Sequence, residues 1–334
     1  MSTVVLVTGA TGIVGSHILI ELLKAGTDAR ILIRKGADRT AIETLCRHSS
    51  IVIPETHYTE GDILDPISLE SAIRGCTEVY HAAAMVSFDP RQSTALFETN
   101  TIGTANVVNA CLQNGVSKLC YISSTAAIGD EPIDGELTES STWTTDKGRT
   151  AYSLSKRYAE LEVMRAREEG LSTLIVNPGV VVGSGKWGES STSIIVSSAN
   201  GMRFYPSGSN GFVDAIDIAR FCVQGMKDEW FKGRYLLIGE NLSFKTLFTL
   251  ITQSFGAAEP KIAIPRGLAQ LAKQGLKFFE SLRIPLFSLT SQNIDSAYRQ
   301  VTYSNKKAIE KGFVFTPIEQ SIQRTVELYK GRTH

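Results

Sequence analysis

The chain has 334 residues, room for roughly two domains at about 150 residues each or one domain carrying a lobe. Its 34 Lys+Arg balance 34 Asp+Glu, and a formal charge of zero excludes the cation excess by which DNA-coating and polyanion-binding proteins gain affinity. With 43% hydrophobic and 20% charged residues the chain can build a large core, which excludes a disordered one.

Met1–Thr8 carries no Lys or Arg, so no basic export signal is read there, and the apolar start is a strand, Thr3–Thr8. It runs into Thr8-Gly9-Ala10-Thr11-Gly12-Ile13-Val14-Gly15, glycines spaced three and three between a strand and a helix. Gly9 permits a sharp turn, Gly12 lets backbone approach a pyrophosphate, and Gly15 lets the helix close on the strand. Free N–H groups and the positive end of the helix dipole then face the phosphates. The second strand, Ala29–Ile33, ends in Arg34-Lys35-Gly36, with no carboxylate before Asp38. An acidic residue there would hold the ribose of NAD(H). A guanidinium forking onto a 2′-phosphate predicts NADP(H) in preference.

Strands follow at His57–Gly61 and Val79–Ala82, with a helix between them capped by Asp65-Pro66 and closed by Gly75. Thr101–Asn114 reads as a helix ending at Gly115. The fifth strand, Leu119–Ser123, ends in Ser123-Ser124-Thr125, whose hydroxyls can polarise a carbonyl oxygen. A polar loop, Gly129–Thr150, leads to Tyr152-Ser153-Leu154-Ser155-Lys156 and a helix over Ser153–Glu169 closed by Gly170. Tyr152 and Lys156 stand at i and i+4 on one helix face, where a cation stabilises phenolate and makes the phenol usable as an acid–base catalyst. The same spacing recurs at Tyr303/Lys307, so it is the place after the fifth strand, not the spacing, that singles out the first pair. Strands at Thr173–Asn177 and Tyr235–Ile238 flank a Gly/Ser-rich stretch, Gly183–Gly211. Trp143, Trp187, Phe204 and Tyr205 are candidate substrate walls. Beyond about residue 240 the chain reads as helical, with an amphipathic helix at Gly267–Glu280 whose Leu268, Leu271, Leu276 and Phe279 line one face and which Lys273, Lys277 and Arg283 flank.

The alternation predicts an α/β protein with a doubly wound parallel sheet. The five cysteines are odd in number and lack a C-x-x-C pair, so neither a disulfide framework nor a metal site is expected and a cytoplasmic setting fits. No run of about 20 residues is predominantly apolar, so no integral membrane segment is expected either.

These motifs, in this order, resemble the extended short-chain dehydrogenase/reductase superfamily (the NAD-dependent epimerase/dehydratase family) along nearly the whole chain. The resemblance implies a Rossmann-type fold with a smaller, mostly helical substrate lobe. It divides the chain into a dinucleotide-binding domain, 1–182 rejoined by about 212–239, and a lobe of 183–211 and 240–334. It implies catalytic roles for Ser124, Tyr152, Lys156 and Asn100. The cofactor would be bound by Gly9, Thr11, Gly12, Ile13, Gly15, Arg34, Lys35, Asp62, Ile63, Ala82, Ala83, Ala84, Ser123, Tyr152, Lys156, Asn177, Pro178 and Gly179. His81 is read as structural, and Asp214 and Asp217 as helix-capping. Arg34, Gly239-Glu240-Asn241-Leu242-Ser243, and Tyr303-Ser304-Asn305-Lys306-Lys307-Ala308 are most similar to the dihydroflavonol-reductase and 3β-hydroxysteroid-dehydrogenase-like branch. The segment Gly211–Ala219 lacks the Arg-Asp pair that nucleotide-sugar epimerases and dehydratases often carry. The implied activity is NADPH-dependent reduction of a ketone or aldehyde in a small, partly apolar molecule, by a monomer or homodimer without nucleic-acid partners. The alternatives are an NAD(P)-dependent nucleotide-sugar epimerase or dehydratase and a non-catalytic NADP(H)-binding sensor.

Overall fold

The computed structural model describes residues 4–231, 233–270 and 295–331. Its strands in chain order are β1 (Val5–Thr8), β2 (Ala29–Ile33), β3 (Tyr58–Glu60), β4 (Glu78–His81), β5 (Lys118–Ile122), β6 (Ser172–Pro178), β7 (Val180–Val182), β8 (Phe204–Tyr205), β9 (Ser209–Asp214), β10 (Arg234–Leu237), β11 (Glu240–Ser243) and β12 (Ile262–Ala263). The helices that position the site are α1 (Ile13–Lys24), α2 (Thr40–Ser49), α3 (Pro66–Ile73), α4 (Ser93–Phe97), α5 (Gly103–Gln113), α6 (Ala151–Glu168), α7 (Thr192–Ser198), α8 (Ala215–Lys227) and α9 (Phe244–Phe255).

Among the described residues, seven parallel strands form the main sheet in the order β10-β6-β5-β4-β1-β2-β3. Side chains alternate across a strand, so a strand buried on both faces must be apolar throughout. β1 shows this directly. Val5 and Val7 join the layer of Ile18, Leu19 and Phe221 from α1 and α8, while Leu6 joins Leu69, Val107 and Val163 from α3, α5 and α6. The strand order reverses between β1 and β4, which opens a crevice at their carboxyl ends where ligands of such sheets bind. This is the Rossmann-type doubly wound α/β fold.

A second sheet, β11-β9-β7, packs Phe212 and Val182 against Leu247 and Ile251 of α9 and Ile318 and Ile322 of the helix Ile318–Lys330. It is hard to read from sequence because its strands are short, β9 and β11 carry Gly, Asn or Ser, and their pairing is set by tertiary contacts rather than by pattern. The expected helix 101–114 begins earlier, as α4, and passes through a π-helical turn at Glu98–Ile102 before α5. Where a helix start at Thr101 is expected, Glu98–Ile102 instead forms a bulge within a longer helical run, a feature frequent at functional sites. Helix α6 starts at Ala151 because Thr150 Oγ1 accepts from the Ser153 N–H at 3.0 Å. Of the expected helix 267–280, residues 267–270 are helical; the rest, with Leu271, Lys273, Leu276, Lys277, Phe279 and Arg283, lies outside the described residues. Among the described residues no helix is long and apolar enough to cross a membrane.

Candidate active site

The three glycines of the first turn differ in what requires them. Gly9 has φ +71°, and a Cβ there would lie 2.4 Å from the Ala83 amide nitrogen, so the turn is pressed against the end of β4. At Gly15 a Cβ would meet the Gly9 carbonyl oxygen at 2.2 Å, which lets α1 close on the turn. Gly12 is exposed, and its Cβ would meet only the Gly9 oxygen, at an ordinary 3.4 Å. The protein needs no glycine there, so the open space is what remains to be accounted for. Gly12 is also the N-cap of α1 and offers no side chain to it, whereas Asp65, Thr150, Asp214 and Ser243 cap α3, α6, α8 and α9. The first-turn N–H groups, from Ile13 onward, thus face the crevice beside Thr11 without a capping acceptor, the arrangement that receives a phosphate.

Behind this turn lies a fully directed chain of hydrogen bonds. Thr104 Oγ1 donates to the Asn100 carbonyl at 2.6 Å, so it must accept from His81 Nε2 at 3.0 Å. His81 Nδ1 therefore accepts from Thr8 Oγ1 at 2.7 Å, and that oxygen accepts from the Ala83 N–H at 3.3 Å. Burial pushes the imidazole down to about 3, so it is neutral and fixed in one tautomer. His81 ties β1, β4 and α5 together and sets Ala82, Ala83 and Ala84 along the crevice.

At the end of β5, the Ser124 hydroxyl accepts from the Ala126 N–H at 3.1 Å and lies close enough to the Tyr152 phenol to favour its ionised form. Burial holds that phenol above its ordinary range, against the pull of Ser124, so it stands protonated and able to give a proton. Phe88 packs on its ring at 5.7 Å. Lys156, only 2% exposed, donates to the Ile122 carbonyl at 2.7 Å and sits 4.7 Å from the centre of the Tyr121 ring. Burial pushes the ammonium down to about 7, opposed by Glu160. An ammonium has three N–H donors, so those not given to Ile122 can take ribose hydroxyls. The structure thus brings Ser124, Tyr152 and Lys156 together.

Other expected contacts are already committed. Both amide N–H groups of Asn100 are given away, to the Met85 carbonyl and Ser155 Oγ, each at 2.9 Å, while its Oδ1 accepts from the Met85 N–H at 2.7 Å. Its side chain holds the Ala84-Met85 segment and leaves one lone pair free. The Ser123 hydroxyl donates to Glu160 at 2.6 Å, and Asn177 Nδ2 donates to Glu160 at 2.7 Å and to the Ser124 carbonyl at 3.0 Å. Their side chains therefore support the site from beneath, leaving backbone for a ligand. Pro178 ends β6, and Gly179 lies so close to Gly211 that a Cβ would meet its oxygen at 2.3 Å.

Just after β2, Arg34 and Lys35 are exposed, and neither side chain has a partner among the described residues. The neighbouring Arg39, by contrast, is paired with Glu55 at 2.8 Å. Asp62 turns its carboxylate onto the Leu64 N–H at 2.9 Å, and Ile63 is buried against Gly103.

Two of the candidate walls have ring partners within the protein. Trp143 is stacked by Arg149 at 4.1 Å and Arg157 at 5.6 Å on the outward side of α6, and Trp187 packs edge-on against Tyr329 at 5.0 Å. Phe204 remains 51% exposed. Tyr303, read as a residue of a polar stretch, is buried with its phenol near Thr125, the neighbour of Ser124. Asp214 caps α8 through the Ile216 N–H at 2.7 Å, and Asp217 holds Thr316. The residues missed altogether are Glu160 and Arg234, paired at 2.7 Å with exposures of 0% and 12%. The available signal was Glu160 continuing the i+4 series from Tyr152 and Lys156 on the inner face of α6.

A doubly wound sheet whose switch-point crevice holds an uncapped helix start, next to a phenol and a buried amine, is that of an NAD(P)-dependent oxidoreductase acting on CH–OH or carbonyl groups. Residues 5–228 match the model of the NAD dependent epimerase/dehydratase family, and the chain belongs to that family. It is 29% identical to Sterol demethylase protein B of Methylococcus capsulatus over 98% of each chain. It is 25% identical to a dihydroflavonol 4-reductase of Callistephus chinensis over 93% of this chain and 82% of that one, in keeping with the branch its motifs resemble. The crystal structure of gox2253 aligns over 100% of both chains at 25% identity, with a TM-score of 0.82.

Proposed function

We propose that this protein is an NADPH-dependent reductase of a ketone or aldehyde carbonyl in a small, partly apolar molecule. The observation that carries the reading is the closeness of the Tyr152 phenol to Ser124 at the end of β5, one helical turn from Lys156, whose ammonium donates to the Ile122 carbonyl. Bound at the glycine turn, the dinucleotide supplies hydride to the carbonyl carbon. Tyr152 gives its proton to the oxygen, and Ser124 orients and polarises that oxygen. Lys156 binds the nicotinamide ribose hydroxyls and stabilises the phenolate left behind. Asn100 acts through the Met85 segment and through any water its free lone pair holds. Gly9, Thr11, Gly12, Ile13 and Gly15 cradle the pyrophosphate, and the unpaired Arg34 and Lys35 take a 2′-phosphate. Asp62 and Ile63 border adenine, Ala82, Ala83 and Ala84 the adjoining ribose, and Ser123, Asn177, Pro178 and Gly179 the nicotinamide side. Residues 1–182, rejoined by 212–239, serve the dinucleotide, and 183–211 with 240–334 the substrate. Phe88 against the phenol and the exposed Val86 favour an apolar group beside the carbonyl.

The test is a panel of aldehydes and ketones assayed with NADPH and with NADH, for wild type and Tyr152→Phe. The reductase reading predicts net NADPH oxidation in wild type and a loss of roughly 10²–10⁴-fold in turnover in the variant, with NADPH binding retained. Equal turnover in the variant would refute Tyr152 as proton donor. Dinucleotide binding with no net oxidation on any carbonyl would favour a sensor, or an epimerase that reoxidises its cofactor within each turnover.

A further inference from the structure

We propose that Glu160 is a positioning residue for catalysis: its buried carboxylate is the counter-charge of Lys156 and the anchor of the strand ends that present Ser124. This rests on the catalytic reading of Tyr152 and Lys156 above.

The geometry is a four-way knot around one side chain. Glu160 is fully buried on α6, one turn beyond Lys156. One carboxylate oxygen accepts from Ser123 Oγ at 2.6 Å and Asn177 Nδ2 at 2.7 Å, at the ends of β5 and β6. The other accepts from Arg234 Nη1 at 2.7 Å, on β10. Asn177 passes the restraint on by donating to the Ser124 carbonyl at 3.0 Å. Arg234 passes it on as well, donating through Nε and Nη2 to the Glu139 carbonyl at 3.0 and 2.7 Å in the loop that leads to Tyr152. The elements carrying Ser124, Tyr152 and Lys156 therefore meet at Glu160. A buried carboxylate is costly without partners, and all of these are directed at it.

The electrostatic part follows from what faces Lys156. On its own helix stand Tyr152 and Glu160; the sheet contributes Tyr121 and His81, and Arg234 lies beyond Glu160. Burial keeps the phenols of Tyr121 and Tyr152 protonated and His81 neutral. Glu160 is then the anion among these groups, and it is the charge that opposes the desolvation of Lys156. Removing it lets the ammonium lose its proton at a lower pH, while the ribose contacts and the stabilisation of phenolate both need that proton.

The experiment is the pH dependence of kcat/KM for a carbonyl substrate at saturating NADPH, in wild type, Glu160→Gln, Glu160→Asp and Tyr152→Phe. Glu160→Gln is expected to move the alkaline limb down by about one pH unit or more. Glu160→Asp, which keeps the charge, is expected to hold the limb in place at a lower rate. If Glu160→Gln does not fold because Arg234 is left unpaired, Glu160→Gln/Arg234→Gln is measured instead, with a downward displacement still expected, smaller because the more distant cation is removed with the carboxylate. A rate lowered by one factor at every pH, in whichever of the two folds, overturns the proposal and leaves a merely structural residue. Full turnover in Tyr152→Phe would instead show that the catalytic reading itself has failed.

Discussion

Gly12→Ala separates a ligand-serving glycine from a fold-serving one. The residue has φ −89° and ψ 170°, which alanine adopts freely, and the added methyl meets only the Gly9 oxygen at 3.4 Å. Glycine is the better N-cap, but alanine also restricts the unfolded chain, by about 0.4–1 kcal/mol, so the two effects roughly cancel. The folded protein should therefore melt within a few degrees of wild type. The methyl would, however, stand in front of the first-turn N–H groups of α1. Losing two charge-assisted hydrogen bonds to a phosphate, at about 1.5–3 kcal/mol each, weakens dinucleotide binding by roughly 10²-fold or more. Titration of NADPH by fluorescence, beside a thermal melt, reads both quantities. Gly9→Ala is the control, since its methyl strikes backbone at 2.4 Å and φ is +71°, so it should lose stability itself. An unchanged dissociation constant in a well-folded Gly12→Ala would refute the placement of pyrophosphate at this turn.

Arg34→Ala should raise the KM for NADPH by roughly 10–100-fold, the value of a charge-assisted phosphate contact, and leave that for NADH nearly unchanged; equal effects on both would remove Arg34 from cofactor discrimination. His81 gives a pH-dependent stability. Its folded-state pKa is depressed from 6.5 to about 3, so only the unfolded chain takes the proton between those values, and stability falls as pH falls through this window. At about 1.4 kcal/mol per pH unit the cost approaches ~5 kcal/mol near pH 3. Denaturant melts of His81→Gln should show a slope between pH 6 and 4 shallower by one proton, with the share of His17, which burial depresses in the same direction, still present; an unchanged slope would contradict the neutral, buried imidazole.

The main sheet was legible because a doubly covered parallel sheet writes itself as β-branched runs, and the glycine turn because backbone sterics allow few alternatives at Gly9 and Gly15. That Tyr152, Lys156 and Ser124 would stand near one another was legible from their place after the fifth strand. What stayed hidden depends on contacts between segments distant in sequence. Glu160 and Arg234 are 74 residues apart and look like surface charges until the fold buries them together. Ser123 and Asn177 were assigned by position, which does not reveal that both side chains turn onto Glu160. That two arginines stand over the Trp143 ring was likewise hidden from the sequence. Tyr303 looked remote until the second sheet carried it beside Thr125.

The most direct measurement is isotope transfer. NADPH carrying deuterium at both C4 positions of the nicotinamide is incubated with the wild-type protein and the carbonyl panel, and the alcohols are analysed by mass spectrometry. Carbonyl reduction at Tyr152 predicts one deuterium on the carbinol carbon, and almost no labelled product from Tyr152→Phe under the same conditions. Tight NADPH binding with no label reaching any carbonyl substrate would contradict it.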